Sequence, residues 1–284
     1  MNVGNRNEQN FSSAVVGAGA GIGAGIGAYK ASKFAMMVPY SIGLVTAFQN
    51  CPQFKDEYIK AAEDIIKNNK LPVKLVSPED LPPELELKPK NLRQKILFKI
   101  FNVKKNYKQA LETTKLGFNA FFGSGKNIIC VNKEKRMSFV FHELGHAINH
   151  YKQGLWSKMK ALKFYSKLAP FALLGMALLT PKKSQEAKEK QGIIGKTTTF
   201  IKENVGKLSA LVMLPFLAEE LSASKIGNQF ARKYFTGDAL KSVLKTNKIS
   251  ALSYISLVGI TGVSAYIANK VRDMVSDLIT KNSK

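Results

Sequence analysis

Hydrophobic and polar positions divide the chain into apolar segments near both ends and a mixed, polar stretch between them. The N-terminal part contains two uncharged runs, 14–28 and 34–48, separated by Lys30 and Lys33. Each has about 15 residues, fewer than the roughly 20 that a membrane-spanning helix needs. The pattern therefore predicts either a membrane hairpin or one span whose lysines reach the interface.

Glycines alternate with small apolar residues in the first of these runs. Gly17, Gly21 and Gly25 are spaced by four positions, which lets a helix approach its neighbour closely in a membrane. A dinucleotide-binding loop is excluded, because its pattern needs a glycine five residues after the first and every glycine in this run is at an odd position. A Walker loop around Lys126 is also excluded, since Asn127 replaces the required Ser or Thr.

The stretch between the apolar ends reads as soluble helix and strand. Residues 54–70 have the period of an amphipathic helix, and its apolar positions lie on one side: Tyr58, Ala61, Ala62, Ile65 and Ile66. Residues 71–89 contain five prolines and predict an extended connection. Residues 91–115 predict a basic helix whose lysines face solvent or a membrane surface.

A short β-branched run, 127–131, predicts a strand. It follows Asn119, Ala120 and Phe121 across a turn. An extended ligand can pair with the edge of a sheet, so these three residues are candidates either for binding an extended ligand or for supporting a nearby site residue. An ordinary core strand is the alternative.

Apolar runs return in the C-terminal half. Runs 168–181 and 208–218 are joined by a loop region with seven lysines from Lys182 to Lys207. The two runs predict a pair of crossings or a shallow membrane-embedded hairpin. The last run, 249–269, has 21 residues without a charge and is the best candidate for a spanning helix.

All three histidines of the chain lie within nine positions. His142 and His146, with Glu143, form H-E-x-x-H, which on a helix places both imidazoles on one face. Such a pair can bind one zinc ion, and Glu143 can take a proton from a water that attacks a carbonyl. Gly145 is expected to keep the helix surface low and leave room for metal or substrate. His150 lies one turn too far for the metal, so a supporting role is expected.

A zinc site with two histidines needs a third protein ligand and an open position. The candidates are Glu219 and Glu220, because carboxylates that emerge from an apolar run are costly unless they meet a cation. The residues alone leave both open.

The net charge of +23 comes mainly from lysine and suits either nucleic acid or an anionic membrane face. The lysines are accompanied by no nucleic-acid-binding motif and do not alternate regularly with aromatic residues, so no nucleic-acid partner is expected. Cys51 and Cys130 are far apart and indicate neither a metal pair nor a disulfide framework. The basic region 53–136 predicts a catalytic side that faces the cytoplasm.

The ordered set of motifs resembles the membrane-bound gluzincin metallopeptidases of the HtpX and CAAX-prenyl endopeptidase superfamily. The resemblance covers about residues 118–244 and is carried by these segments: Asn119-Ala120-Phe121, the H-E-x-x-H run with His150, Glu220-x-x-Ala223 and Gly237-Asp238-Ala239-Leu240. It implies that His142, His146 and Glu220 bind zinc, with Glu219 as the alternative ligand. The aspartate of that family falls on Ser224, a departure at a position that would orient a metal ligand.

The predicted fold is α+β and predominantly helical, with a small β-sheet and membrane-embedded helices; the resemblance implies a zincin-like catalytic core. Five segments are expected: a glycine-rich membrane part (1–50), a cytoplasmic-side catalytic region (51–160), a hydrophobic helical hairpin (161–218), the third-ligand helix and its successor (219–248), and a transmembrane helix with a basic tail (249–284).

The predicted function is an integral zinc endopeptidase of the cytoplasmic membrane that binds one Zn²⁺ per chain. Its partners would be the lipid bilayer and membrane-associated or misfolded protein substrates, with Glu143 as general base and Arg232 or Tyr234 as candidate oxyanion donors. Two alternatives stay open: a non-catalytic membrane protein with a structural zinc site, and a basic adaptor on a membrane surface.

Overall fold

The computed structural model describes these residues: 15–16, 18–27, 52–82, 92, 95, 99, 103–135, 137–152, 160–182, 189 and 191–282. Within them the chain is mostly helical and contains one three-stranded sheet, in agreement with the predicted helical α+β class. The apolar run 34–48, Gly17 and Cys51 lie outside the described residues.

The helices and strands of the described residues are named in chain order. The helices are α1 (Ala18–Gly27), α2 (Lys55–Asn68), α3 (Val103–Lys115), α4 (Val140–Tyr151), α5 (Lys160–Leu179), α6 (Ile193–Leu211), α7 (Leu214–Tyr234) and α8 (Gly237–Asn282). The strands are β1 (Lys74–Val76), β2 (Ala120–Gly123) and β3 (Ile128–Val131).

The chain forms two compact units, each discontinuous in sequence. One comprises Met1–Pro39, Met159–Ala218 and Ser253–Lys284, and its described part is helical. The other comprises Tyr40–Lys158 and Glu219–Leu252, and it holds the sheet and the histidine motif.

The sheet has the strand order β1-β3-β2. β1 runs parallel to β3 with Leu75 opposite Ile129, and β2 runs antiparallel to it with Phe121 opposite Cys130. The predicted strand at 127–131 is confirmed as the buried central strand β3. β1 lies in the segment expected to be an extended connection; three residues are too few to show an alternating pattern.

The core of this unit joins α2, α4 and the turn between α7 and α8. The predicted amphipathic helix is confirmed as α2, and its Tyr58 packs edge-on against Phe141 and Phe235 at ring-centroid distances of 5.7 and 5.0 Å. The Tyr58 hydroxyl donates a hydrogen bond to the carbonyl of Ala239 at 2.7 Å. Gly237 makes the turn with a φ of 55°, a conformation that favours glycine. Together these contacts fix α4 and α7 in one core.

The helical unit contains a helix where a lysine-rich loop was expected. α6 begins at Ile193 and ends at Leu211, so it covers much of the Lys182–Lys207 stretch and part of the run expected as the second hairpin arm. α5 and α6 pack side by side, with Ala177 and Val205 in their core.

Small residues bring helices of this unit close together. A Cβ on Gly206 of α6 would lie 2.8 Å from the carbonyl oxygen of Gly262 on α8, and the reverse holds equally. A Cβ on Gly21 of α1 would collide with the carbonyl oxygen of Ala268 on α8, and a Cβ on Gly25 would collide with the Cβ of the same residue. The predicted close approach along the four-residue glycine spacing is therefore present for these two glycines.

A buried ionic cluster closes the end of α5. Arg272 donates from Nε to the carbonyl of Leu178 at 3.1 Å, and Lys202 donates from Nζ to that of Thr180 at 3.0 Å. Both cations also contact Asp273 Oδ1, at 2.8 and 2.6 Å. The last carbonyls of a helix lack intrahelical partners and carry negative partial charge, so the two cations stabilise this helix end.

One described helix is long and apolar enough to cross a membrane. This segment is Gly237–Ile279 within α8, and it includes the uncharged run 249–269. The apolar helices Ala18–Gly27 and Tyr165–Leu179 are shorter.

Candidate metal centre

The centre forms where α4 crosses α7 at unusually short range. A Cβ on Gly145 of α4 would collide with the backbone carbonyl of Ala223 on α7, and a Cβ on Gly227 would collide with that of Phe141. The expectation that Gly145 leaves room for metal or substrate is therefore wrong. Gly145 admits the backbone of α7, which brings Glu220 against the histidines.

Three side-chain atoms from these helices converge on one point. His142 Nε2 lies 3.1 Å from His146 Nε2, and Glu220 Oε2 lies 3.2 Å from His146 Nε2 and 3.5 Å from His142 Nε2. Ligands held tetrahedrally at the usual 2.0–2.1 Å from a divalent ion are about 3.3 Å apart. The triangle thus has the size of one face of such a tetrahedron, and these residues could hold a metal ion.

The second ring nitrogen of each histidine has its own partner on α7. His142 Nδ1 is 3.0 Å from Ser224 Oγ, and His146 Nδ1 is 2.8 Å from Glu219 Oε1. A partner on Nδ1 fixes the ring orientation and favours the tautomer whose Nε2 can bind metal. Ser224 therefore supplies a hydrogen bond where the resembled family has aspartate. Glu219 occupies the far side of the His146 ring from Glu220.

Glu143 lies beside these groups and is 8% exposed. Burial raises the pKa of its carboxyl, as does the nearby charge of Glu220, while the two histidines and a hydrogen bond from the Phe122 backbone N–H lower it; the net shift is upward. The Glu143 carboxylate thus favours holding a proton more than an exposed glutamate does.

His146 sits between two carboxylates. Burial lowers its pKa, but the hydrogen bonds with Glu219 and Glu220 outweigh this and raise the pKa of His146 to about 10. The centre is therefore built to hold positive charge, either a proton or a metal ion. A metal ion that binds Nε2 must displace the proton.

The other predicted site residues lie around β2. Ala120 and Phe121 belong to β2, and Asn119 precedes it; the Phe121 ring packs edge-on against Tyr107. The His150 ring packs against Phe122, at a centroid distance of 5.5 Å. His150 of α4 therefore contacts strand β2 through its ring.

Arg232 and Tyr234, the predicted oxyanion donors, are not brought to the centre. Arg232 follows Glu220 by 12 residues on the continuous helix α7, a rise of about 18 Å. Its side chain lines a groove between α7 and α8 instead. This prediction is wrong because three to four turns of one continuous helix separate both residues from Glu220.

Sequence reasoning missed two features of the centre. The backbone N–H of Phe122 binds Glu143, and a backbone group leaves no trace in the residue type. Gly227 was also missed. It follows Ala223 by four positions on α7, the same spacing as that between Phe141 and Gly145 on α4. Glycine and alanine spaced by four on α7 were the available signal for a close crossing.

In comparisons with known proteins, the chain matches no protein-family model, no curated protein and no solved structure.

Proposed function

We propose that this chain is a zinc-dependent membrane endopeptidase that hydrolyses peptide bonds in membrane-associated or misfolded proteins. The observation that carries the proposal is the convergence of His142 Nε2, His146 Nε2 and Glu220 Oε2 with Glu143 beside them. Two imidazoles and one carboxylate are the donor set of hydrolytic zinc sites, which keep a fourth position for water.

The donor set favours zinc over the hard cations. Magnesium and calcium prefer sites made of oxygen ligands, whereas two of the three converging atoms here are imidazole nitrogens. Four-coordinate zinc also matches the size of the triangle. We therefore propose Zn²⁺, one per chain, as the resident ion.

Glu143 is the proposed proton carrier. Zinc, when bound, supplies Lewis-acid activation of water and of the scissile carbonyl. Glu143 takes the proton from the attacking water and then gives it to the leaving amine. Its buried position and raised pKa suit both roles, because the carboxyl can hold the proton between the two steps.

The edge strand β2 supports a peptide as the substrate. The Phe122 N–H is directed at Glu143, so the backbone groups of Phe122 face away from β3. Backbone direction alternates along a strand, which gives Ala120 the same outward direction. An extended peptide paired with this edge would run past Glu143.

The proposed membrane location rests on α8 and on exposed apolar side chains of the helical unit. Phe171 and Leu179 of α5 are 72% and 77% exposed, and Ile193 of α6 is 85% exposed. Large exposed apolar side chains on two helices that pack side by side support a surface that contacts lipid or protein. The basic balance of the chain supports the proposal that the metal centre lies on the cytoplasmic side of the cytoplasmic membrane. This agrees with the resemblance to membrane-bound gluzincins.

Replacement of Glu143 by Gln tests the mechanism. The variant keeps the shape of the side chain but cannot take a proton, so casein cleavage should fall by about 10²–10⁴-fold while zinc content is unchanged. A matched control is Glu112→Gln on the exposed face of α3, which should leave both unchanged.

The outcomes separate the alternatives. Full cleavage by Glu143→Gln would refute the proposed base. Stoichiometric zinc without cleavage by the wild-type chain would instead indicate a structural zinc site. A wild-type chain without zinc that binds anionic vesicles in a salt-dependent way would indicate a membrane-surface adaptor.

A further inference from the structure

A basic groove lies between α7 and α8, apart from the metal ligands. It has a volume of about 530 Å³ and is lined by residues of both helices, the first of which is Leu221 and the last Ala251. Three of the lining residues are cationic: Lys225, Arg232 and Lys248. From these observations we propose that the groove binds the phosphate headgroup of an anionic phospholipid.

The charge of the groove is unbalanced. Among the described residues, no Asp or Glu lines it, and none of the ion pairs includes Lys225, Arg232 or Lys248. Three like charges around one concave surface raise the local positive potential, and a bound anion relieves their repulsion. The groove therefore favours an anionic occupant.

Neutral donors complete the polar side of the groove. Asn247 Nδ2 donates to Asn228 Oδ1 at 2.8 Å, which links α7 and α8, and both residues line the groove. Because the side-chain oxygen of Asn228 accepts this bond, the NH₂ group of Asn228 is not used by it. The neighbouring Gln229 also lines the groove. Ammonium, guanidinium and amide donors are the groups that bind phosphate oxygens.

The remaining lining distinguishes a lipid from other anions. Leu221, Leu244 and Ala251 provide an aliphatic wall, which a free phosphate ion would not use. None of the described residues that line the groove is aromatic, so among them the bases of a nucleic acid would find no stacking surface. A phosphate attached to an acyl chain uses both the cations and the aliphatic wall.

The position of the groove along the chain agrees with a membrane interface. Lys248 directly precedes the uncharged run 249–269, the proposed span, so it would lie at the level of the headgroups. This step rests on the membrane location proposed above. Ser224 also lines the groove, and it contacts His142 through Nδ1, the nitrogen that does not face the metal ligands. The bound lipid would thus leave the metal face free.

The test uses the full chain in a neutral detergent, titrated with phosphatidylglycerol or phosphatidylcholine in mixed micelles. Phosphatidylglycerol should bind and raise the Tm, whereas phosphatidylcholine should not. In the variant Lys225→Gln/Arg232→Gln/Lys248→Gln the affinity for phosphatidylglycerol should fall by roughly a hundredfold.

A matched control removes the same charge from the same helices outside the groove. Lys233, Lys241 and Lys245 are exposed and do not line it, so their triple change to Gln should keep wild-type affinity. An equal loss of affinity for phosphatidylglycerol in both triple variants would overturn the proposal, because the lipid would then be attracted by the net charge of the chain alone. If the groove triple fails to fold, Lys225→Gln beside Lys233→Gln makes the same comparison.

Two further probes separate the sources of phosphate. Inorganic phosphate that binds as tightly as phosphatidylglycerol through the same three residues would overturn the lipid assignment and indicate a small-anion site. Polyglutamate that competes fully would indicate an acidic peptide instead. Casein cleavage measured on the wild-type chain keeps this result separate from the proposed function. A wild-type chain that cleaves casein but does not bind phosphatidylglycerol overturns only the groove, and one that binds the lipid without cleaving casein overturns only the peptidase.

Discussion

Glu219 and Glu220, adjacent in sequence, contact opposite nitrogens of one imidazole ring. Glu219 Oε1 lies 2.8 Å from His146 Nδ1, and Glu220 Oε2 lies 3.2 Å from His146 Nε2. Only the Nε2 side also contains His142. The geometry thus gives the two carboxylates different functions, one on the metal face and one behind the ring.

The first prediction separates these two glutamates. Glu220→Ala should abolish stoichiometric zinc, because it removes one of three ligands. Glu219→Ala should retain zinc with about 10–100-fold lower affinity, because it removes only the orienting partner of His146. Competition with a chromogenic chelator measures both affinities. Loss of zinc in Glu219→Ala combined with retention in Glu220→Ala would reverse the assignment.

The second prediction concerns Ser224. Its hydroxyl is 3.0 Å from His142 Nδ1, so Ser224→Ala should weaken zinc binding by about tenfold. Ser224→Asp should bind zinc at least as tightly as the wild type, since a carboxylate makes the ring more basic. The same chelator competition measures this series. Wild-type affinity in Ser224→Ala would show that the hydroxyl does not orient His142.

The third prediction concerns the close crossing of α4 and α7. Gly145→Ala places a methyl group against the Ala223 carbonyl and should cost about 1–3 kcal/mol or more of unfolding free energy. It should also weaken zinc binding, because Glu220 moves with α7. Thermal unfolding and zinc content measure the two effects.

Gly175→Ala is the control for this crossing. Gly175 is also helical, and a Cβ built on it would meet no described atom within 4 Å beyond its chain neighbours and the backbone of its own helix. Alanine is the better helix former there, so the Tm should stay the same or rise. A Gly145→Ala chain with wild-type Tm and zinc content would mean that the helices can separate without consequence.

Local features of the centre could be predicted from sequence. The H-E-x-x-H spacing predicts that both histidines lie on one face of a helix, and the motif does lie within helix α4. The pattern at 54–70 predicts α2 with its buried side. These predictions succeed because helix period and side-chain direction follow from backbone geometry alone.

Features that depend on packing between distant segments could not be predicted. The choice between Glu219 and Glu220 depends on how α7 is rotated, and that rotation follows from Ala223 and Gly227 lying on the backbone of α4. The helix α6 is another case. In the sequence, Lys202 belongs to a lysine-rich stretch that predicts a loop. In the structure it is buried, and its charge is compensated by an ion pair with Asp273, which lies 71 residues further along the chain.

The central claim is that His142, His146 and Glu220 surround one zinc ion. Zinc K-edge X-ray absorption of the purified full chain tests it most directly. The predicted result is one zinc per chain with a first shell of nitrogen and oxygen at about 2.0–2.1 Å, including two imidazole rings and no sulfur. A chain without stoichiometric zinc, or a first shell that contains sulfur or fewer than two imidazoles, would contradict it.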